Sequence, residues 1–290
     1  NKLKNLKNSV INMNMTVFEA RKWASSFLKE HKREAGVADI LLKFLLNVPT
    51  HEWLLIQRDA LDDAVWQTFE AWIKEHVRTG KPVEHFTNEV TFFDRTFYVN
   101  EHVLIPRPET EELIVAIKDE IRDDDVIVDL GTGSGIIAVT LKKEVPDAAV
   151  YATDISTEAL KIAAKNARNL QAEVTFFQGD FLEPIIDEKI APTVIVSNPP
   201  YIAETESLSD TVLHDPKEAL FAKNNGLFAY EKIVNQLNLL RKKPRLIAFE
   251  IGFDQGAALT ELITGKVEGA AVTVLQDING KDRIVLWRND

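Results

Sequence analysis

From Asp125 onward the chain alternates short apolar runs with amphipathic stretches, and this alternation restricts the fold more than any other feature. Runs rich in β-branched and aromatic residues stand at 126–130, 150–154, 174–178, 193–197, 245–251, 272–276 and 283–287. Stretches with helical spacing fill 136–144, 157–169, 227–241 and 255–264. Strands separated by helices predict a mostly parallel sheet covered on both faces. The last two strands are joined only by 277–282, which contains Asn279-Gly280. So short a connection permits an antiparallel hairpin and not a parallel crossover. The expected α/β architecture therefore has seven strands, six running one way and one the other.

The residues before this region read differently. Thr16 can cap a helix that carries Phe18, Trp23, Phe27 and Leu28. A second apolar cluster, Ile40, Leu41, Phe44, Leu45 and Leu46, ends at Pro49, and a third holds Leu54, Leu55 and Ile56. A fourth runs through Leu61, Val65, Phe69, Trp72, Ile73 and Val77 and stops at Gly80 and Pro82. Residues 1–85 are expected to form a small helical bundle with its aromatics in the core, serving to recognise a partner. Asn1 to Met15 is Lys- and Asn-rich, lacks the apolar centre of a signal peptide, and is expected to fray. Over 86–108, the strand formers Val90, Phe92, Phe97, Tyr98, Val99 and Val103 flank Asp94-Arg95, which predicts a β-hairpin bridge turning at that pair. The bridge leads through Leu104-Ile105-Pro106-Arg107-Pro108 to an acidic helix start, Glu109-Thr110-Glu111-Glu112, where the helix dipole favours negative charge. Residues 109–290 then form the domain that carries the sheet.

Composition removes several classes of function. There is no cysteine, which excludes disulfides and thiolate metal sites and fits a reducing, cytoplasmic compartment. No apolar run approaches the ~20 residues that cross a bilayer. A net charge of −11 argues against a broad basic surface for nucleic acid. The six histidines show no metal-ligand spacing, so no metal is expected. A monomer is expected.

Three successive strand ends carry ligand-type residues. Asp129-Leu130-Gly131-Thr132-Gly133-Ser134-Gly135 closes the first strand and opens a helix, whose N-terminus presents free N–H groups. A dinucleotide fingerprint would place its third glycine at 136, where this chain has Ile136. Asp129 is awkward beside a pyrophosphate and suits a cationic cofactor such as S-adenosylmethionine, whose amino group it can hold. Asp154, at the end of the second strand, can accept from both ribose hydroxyls. After the third strand, Asp180 can accept from an adenine amino group and Phe181 can stack on its ring.

The fourth strand ends in Asn198-Pro199-Pro200-Tyr201. Neither proline can donate to a ladder, and each restricts the residue before it, so the turn is stiff. It can hold the Asn198 carboxamide oxygen and the Pro199 carbonyl as a fixed pair of acceptors for a substrate –NH2, with Pro200 and Tyr201 packing against the substrate plane. An amide nitrogen is a poor nucleophile, and positioning together with hydrogen bonds that strengthen as charge develops would carry such a reaction. Arg107, held between prolines, is a further candidate for contact with substrate.

Six parallel strands with an antiparallel one at the end of the chain is the arrangement of class I methyltransferases. The segments VLIPRPETEE (103–112), DLGTGSG (129–135), VSNPPYI (196–202), FEIG (249–252) and DINGKDR (277–283) together resemble the HemK/PrmC family of release-factor glutamine methyltransferases. The resemblance implies methyl transfer from S-adenosylmethionine to the side-chain amide of the glutamine in a Gly-Gly-Gln loop of a peptide chain release factor. It implies cofactor or substrate contact for Gly131, Thr132, Gly133, Ser134, Gly135, Asp154, Phe181 and Asn198. The chain departs from the family at Glu84-His85-Phe86, at Asp215-Pro216, at Lys223-Asn224-Asn225-Gly226 and at Phe181, where tryptophan is frequent. Asn-Pro-Pro-Tyr alone is shared with adenine methyltransferases acting on DNA and RNA, which the acidic charge disfavours. A binding module that has kept the cofactor fold is disfavoured by the intact Asp129, Asp154 and Asn198. A nucleotide-dependent oxidoreductase is disfavoured by Ile136.

Overall fold

The computed structural model describes residues 15–206, 210–267 and 269–289; the expected fraying of the first residues lies outside them, Met15 excepted. The chain divides into two units, Asn1–Thr87 and Asn88–Asp290.

The described part of the first unit is helical: α1 (Val17–Glu30), α2 (Val37–Leu46), α3 (Asp63–Thr79) and the single turn α4 (Glu84–Thr87). Thr16 caps α1 reciprocally, its hydroxyl accepting from Glu19 N at 3.2 Å while Glu19 Oε2 accepts from Thr16 N at 2.8 Å. Asp62 caps α3 through Ala64 N, and Gly80 ends α3 in the left-handed conformation. Residues at helical spacing form the core: Ala20, Ala24 and Leu28 of α1, Leu41 and Leu42 of α2, Phe69 and Ile73 of α3. The expected third helical segment is only a 3₁₀ turn, Leu55–Arg58, and Leu54 and Leu55 are each 79% exposed. One such turn has no i, i+4 stripe to bury, and Trp53 and Leu61 enter the core instead. The aromatics are not all core either, since Phe18 and Phe44 are exposed. No helix among the described residues is long and apolar enough to cross a membrane.

The second unit begins with a hairpin, β1 (Glu89–Phe92) and β2 (Arg95–Tyr98). Its two-residue turn is Phe93-Asp94 (φ 50° and 57°), one position earlier than the sequence suggested, because Arg95 already pairs with Phe92. A tight hairpin turn of this kind needs positive φ at both residues, an awkward demand on a phenylalanine. Glu111 helps by accepting from Phe93 N at 2.8 Å.

There follow α5 (Glu109–Lys118), β3 (Val126–Leu130), α6 (Ile136–Glu144), β4 (Ala149–Asp154), α7 (Thr157–Asn169), β5 (Val174–Gln178), the short α8 (Glu183–Asp187) and β6 (Val194–Ser197). A two-residue parallel pair, β7 (Ile202–Ala203) with β8 (Phe221–Ala222), brackets the turn α9 (Lys217–Leu220); neither was anticipated. The chain closes with α10 (Phe228–Leu237), β9 (Leu246–Glu250), α11 (Gly256–Lys266), β10 (Ala271–Gln276) and β11 (Asp282–Arg288).

Among the described residues the main sheet has seven strands in the order β5-β4-β3-β6-β9-β11-β10, and β11 runs antiparallel to both neighbours. Strand order reverses between β3 and β6, which places a crevice outside their carboxyl ends. Both faces are covered, as the continuous apolar runs require. Along β6, Val194 and Val196 face a layer with Leu113 and Ile114 of α5 and Ile137 of α6, while Ile195 faces Tyr230 and Ile233 of α10 and Leu259 of α11. This period-two division fixes the register of the strand that delivers Asn198.

Candidate active site

The loop after β3 is held by its own backbone. Gly131, Gly133 and Gly135 all have positive φ (68°, 56° and 80°), the region that favours glycine. Thr132 N donates to Thr153 O at 2.9 Å, joining the loop to β4, and Gly135 N donates to Thr132 O at 2.8 Å. Gly135 packs on α7, where an added Cβ would lie 2.9 Å from Ala163 Cβ; around Gly133 the same atom would meet nothing within 4 Å.

Asp129 is fully buried. Its Oδ2 accepts from Thr132 Oγ1 (2.6 Å) and from Ala138 N (3.2 Å) in the first turn of α6, while Oδ1 is buried without a partner. Burial, reinforced by the charge of nearby Asp154, pushes its carboxyl up to about 7. Asp154 Oδ2 accepts from Gly133 N at 2.8 Å and Oδ1 from Ser156 N at 2.8 Å. Burial raises its pKa too, against the pull of these backbone donors. The carboxylate, which also takes a backbone bond from Ile155, keeps acceptor capacity for a ligand hydroxyl. Two crowded carboxylates, one with an orphaned oxygen, suit a cationic ligand and oppose a pyrophosphate.

At the next strand end Phe181 has φ 52°, rare for a bulky residue, and its carbonyl accepts from Thr153 Oγ1 at 2.8 Å. A Cβ on Gly131 would lie 3.9 Å from the Phe181 ring, so the ring stands beside the glycine loop. Asp180 is ion-paired with Lys232 through Oδ2.

From β6, Ser197 Oγ donates to Leu130 O at 2.6 Å and ties the strand to β3 just before the motif. Asn198 is half-buried and its Nδ2 donates to Thr110 Oγ1 at 3.3 Å; Thr110 Oγ1 in turn donates to Glu250 Oε2 at 2.7 Å. The far end of the motif is also pinned: Gln255 Nε2 donates to Tyr201 O at 2.9 Å, and Gly226 comes so near that carbonyl that any Cβ would collide with it. Burial, with the charge of Glu250 adding, pushes the Tyr201 phenol up to about 12, so it is neutral at ordinary pH. Arg107 pairs with the buried Asp215 at 2.9 Å, and Asp215 also accepts from Ile105 N at 3.3 Å, which clasps the proline-rich loop to the segment before α9.

A cavity of about 420 Å³ joins these strand ends, within the ~300–1,000 Å³ usual for small-molecule sites. It brings together Gly131, Thr132, Gly133, Ser134, Asp154, Asp180, Phe181, Asn198 and Pro200. Asp129, Gly135, Pro199, Tyr201 and Arg107 are not among its lining residues. Sequence reasoning missed Thr110, Ile155, Ser156, Pro216 and Ala219 in the wall. It also missed Asn166 of α7, which is almost wholly buried. Asn166 Oδ1 accepts from Tyr98 N (2.8 Å), and its Nδ2 donates to Tyr98 O (2.9 Å) and to Ser134 O (2.8 Å). A mid-helix asparagine, poor in propensity yet buried, was the available signal.

A switch-point cavity with a glycine loop at one strand end, a carboxylate at the next and an asparagine-proline turn at the fourth defines an S-adenosylmethionine-dependent methyltransferase of the class I fold. Comparison with known proteins agrees. Residues 109–235 match the methyltransferase small domain family and residues 19–87 match the PrmC N-terminal domain. The hMettl16 catalytic domain superposes with a TM-score of 0.54 at 17% identity, over 81% of this chain and 84% of that one, a likeness of fold. The release factor glutamine methyltransferase of Bacillus subtilis (strain 168) is 42% identical over 279 residues, 93% of this chain and 96% of that one. That of Staphylococcus aureus (strain NCTC 8325 / PS 47) is 40% identical over 240 residues, 82% and 86% of the two chains. The chain belongs to the release factor glutamine methyltransferase family.

Proposed function

We propose that this protein transfers a methyl group from S-adenosylmethionine to the side-chain amide nitrogen of the glutamine in the Gly-Gly-Gln loop of a peptide chain release factor, in the cytoplasm and without a metal. The observation that carries the reading is Asn198, held at the end of β6 in the same cavity as Asp154 and the glycine loop. Family membership supports the choice of substrate.

Gly131 to Ser134, Asp154 and Phe181 would hold the cofactor, with Gly135 packing the loop on α7: loop backbone around the methionine part, Asp154 on the ribose hydroxyls, Phe181 against the base. Bound there, S-adenosylmethionine supplies an electrophilic methyl group on sulfur. The Asn198 carboxamide oxygen and the Pro199 carbonyl accept the two amide hydrogens of the substrate, which turns the nitrogen toward that methyl. As the nitrogen took the methyl it would become positive and its N–H groups stronger donors, so both acceptors favour the transition state over the ground state. The pair of the breaking C–S bond would stay on sulfur as a neutral thioether, and the nitrogen would release one of its two protons to water to leave the neutral N-methyl amide. Tyr201, neutral in this site, offers a ring face to the amide plane. The unit Asn1–Thr87 is assigned to recognition of the release factor, and the hairpin to the bridge between the two functions.

The test is transfer of labelled methyl to purified release factor, with a loop Gln→Ala variant, tRNA, rRNA and duplex DNA in parallel. Label on the wild-type release factor alone is expected; label on nucleic acid refutes the reading. Asn198→Ala is expected to lower kcat by roughly 100-fold or more, the scale of losing a transition-state hydrogen-bond partner, and to keep cofactor affinity within about threefold.

A further inference from the structure

Asn198 has two nearly isosteric ends, and only hydrogen bonding decides which of them faces the substrate. A flipped amide would present its NH2 group to the substrate NH2 group, donor against donor. The side chains that settle the choice come from far along the chain. Thr110, in the first turn of α5, and Glu250, the last residue of β9, are 2% and 1% exposed. An ionised carboxylate can only accept, so the single proton of the Thr110 hydroxyl points at Glu250 Oε2 (2.7 Å). The hydroxyl oxygen is then left with lone pairs facing Asn198, and the contact at 3.3 Å has to come from Nδ2, as does the side-chain bond that Glu250 accepts directly from Asn198. That turns the carboxamide oxygen away from the anchor and leaves it free for the cavity that Asn198 and Thr110 both line.

We propose that Glu250 and Thr110 are positioning residues, forming a directional relay that fixes the Asn198 amide with its oxygen toward the substrate nitrogen and strengthens that oxygen as an acceptor during transfer. This rests on the methyl-transfer reading. Each bond in such a chain polarises the next, so negative charge at Glu250 raises electron density on the Asn198 oxygen. Glu250 is surrounded by groups of both signs. Burial, with the charge of Glu109 at the start of α5 adding, pushes its carboxyl up to about 7, while the Thr110 and Asn198 hydrogen bonds and Arg283 of β11 pull the other way. Tyr201 is neutral in this range. When Glu250 holds a proton the Thr110 hydroxyl is free to turn and the relay loses its direction.

The experiment uses the full chain with S-adenosylmethionine and purified release factor, comparing Thr110→Val, Thr110→Ser and Glu250→Gln with wild type. For Thr110→Val, kcat is expected to fall roughly 10- to 100-fold, the scale of a charge-assisted hydrogen bond, while KM and calorimetric cofactor affinity stay within about threefold. Thr110→Ser, which restores the hydroxyl, is expected to recover kcat to within about threefold. Wild-type kcat is expected to rise with pH through about 7, and Glu250→Gln to lose that limb. Unchanged kcat in Thr110→Val, failure of the serine variant to rescue, or a pH limb that persists in Glu250→Gln each overturns the relay. A wild-type protein that labels no release factor sinks the functional reading instead. The relay is judged independently by the ¹⁵N side-chain NH2 resonances of Asn198, assigned by their loss in Asn198→Asp. They are expected to move in Thr110→Val and Glu250→Gln, and unmoved resonances overturn the relay whatever the substrate.

Discussion

Two glycines of one loop, identical to the eye in the sequence, should fail in different ways when each is replaced by alanine. At Gly135, φ is +80° and the new methyl would lie 2.9 Å from Ala163 Cβ and 3.0 Å from Ala163 Cα, both on a helix packed into the core. Left-handed backbone costs about 1–2 kcal/mol for a residue with a Cβ, and forcing a methyl into a packed contact costs about 1–3 kcal/mol. The sum, ~2–5 kcal/mol, corresponds to a Tm drop of roughly 4–20 °C for a domain of this size. At Gly133, φ is +56° but nothing lies within 4 Å of the new methyl. Only the backbone contribution of ~1–2 kcal/mol remains, a drop of about 2–8 °C. The methyl, though, stands in space that the cofactor would fill. Thermal unfolding of the ligand-free protein and calorimetric titration with S-adenosylmethionine separate the two effects. Gly135→Ala should lower Tm more, and Gly133→Ala should weaken binding by at least about tenfold, as a clash that the ligand cannot avoid. If Gly133→Ala proves the more destabilised variant, or binds the cofactor as tightly as wild type, the assignment of one glycine to packing and the other to ligand space is wrong.

Asp154→Ala should weaken cofactor binding roughly 10- to 100-fold, since it removes a carboxylate acceptor and strands Gly133 N; calorimetry showing unchanged affinity would refute the ribose role. Stability should fall as pH rises from about 4 to about 7, because Asp129 and Glu250, both pushed up to about 7, keep protons in the folded protein that the unfolded chain has already released. The full displacement corresponds to about 3–4 kcal/mol per group, most of it lost by pH 8, so Tm measured at pH 5 should exceed Tm at pH 8 and Asp129→Asn should flatten the slope; a Tm that rises over this range contradicts the assignment.

The sheet was legible in the sequence because periodicity and connection length are local properties. The 277–282 link left only an antiparallel last strand, and the apolar runs showed strands buried on both sides. The Thr16 cap was legible for the same reason, since its backbone partner lies only three positions on, whereas the return bond from Glu19 was not read. The site was legible only as far as its strand ends. Asp154 closes an apolar run, and Asn198 and Phe181 follow one within three residues, so their convergence follows from the topology. Thr110, Glu250 and Asn198 sit 140 and 88 positions apart, and no local pattern links an acidic helix start to the last residue of a distant strand. Arg107 shows the same limit. Its setting between prolines suggested contact with substrate, and its partner Asp215 lies 108 residues on. The hairpin turn moved by one residue because the strand pairing chose its register, and the price was a phenylalanine in left-handed backbone.

Asn166 carries one more consequence. Its single carboxamide grips the end of the hairpin through Tyr98 and the glycine loop through Ser134. The two segments are thus one mechanical part, although 32 residues of chain separate Ser134 from the asparagine and 68 separate Tyr98 from it. Hairpins exchanged between relatives would have to bring a strand whose backbone at position 98 meets the same amide, or the loop behind the cofactor would be left without one of its supports. A change at position 166 is therefore felt at both ends of this part at once, by the hairpin backbone and by the loop that lines the cavity.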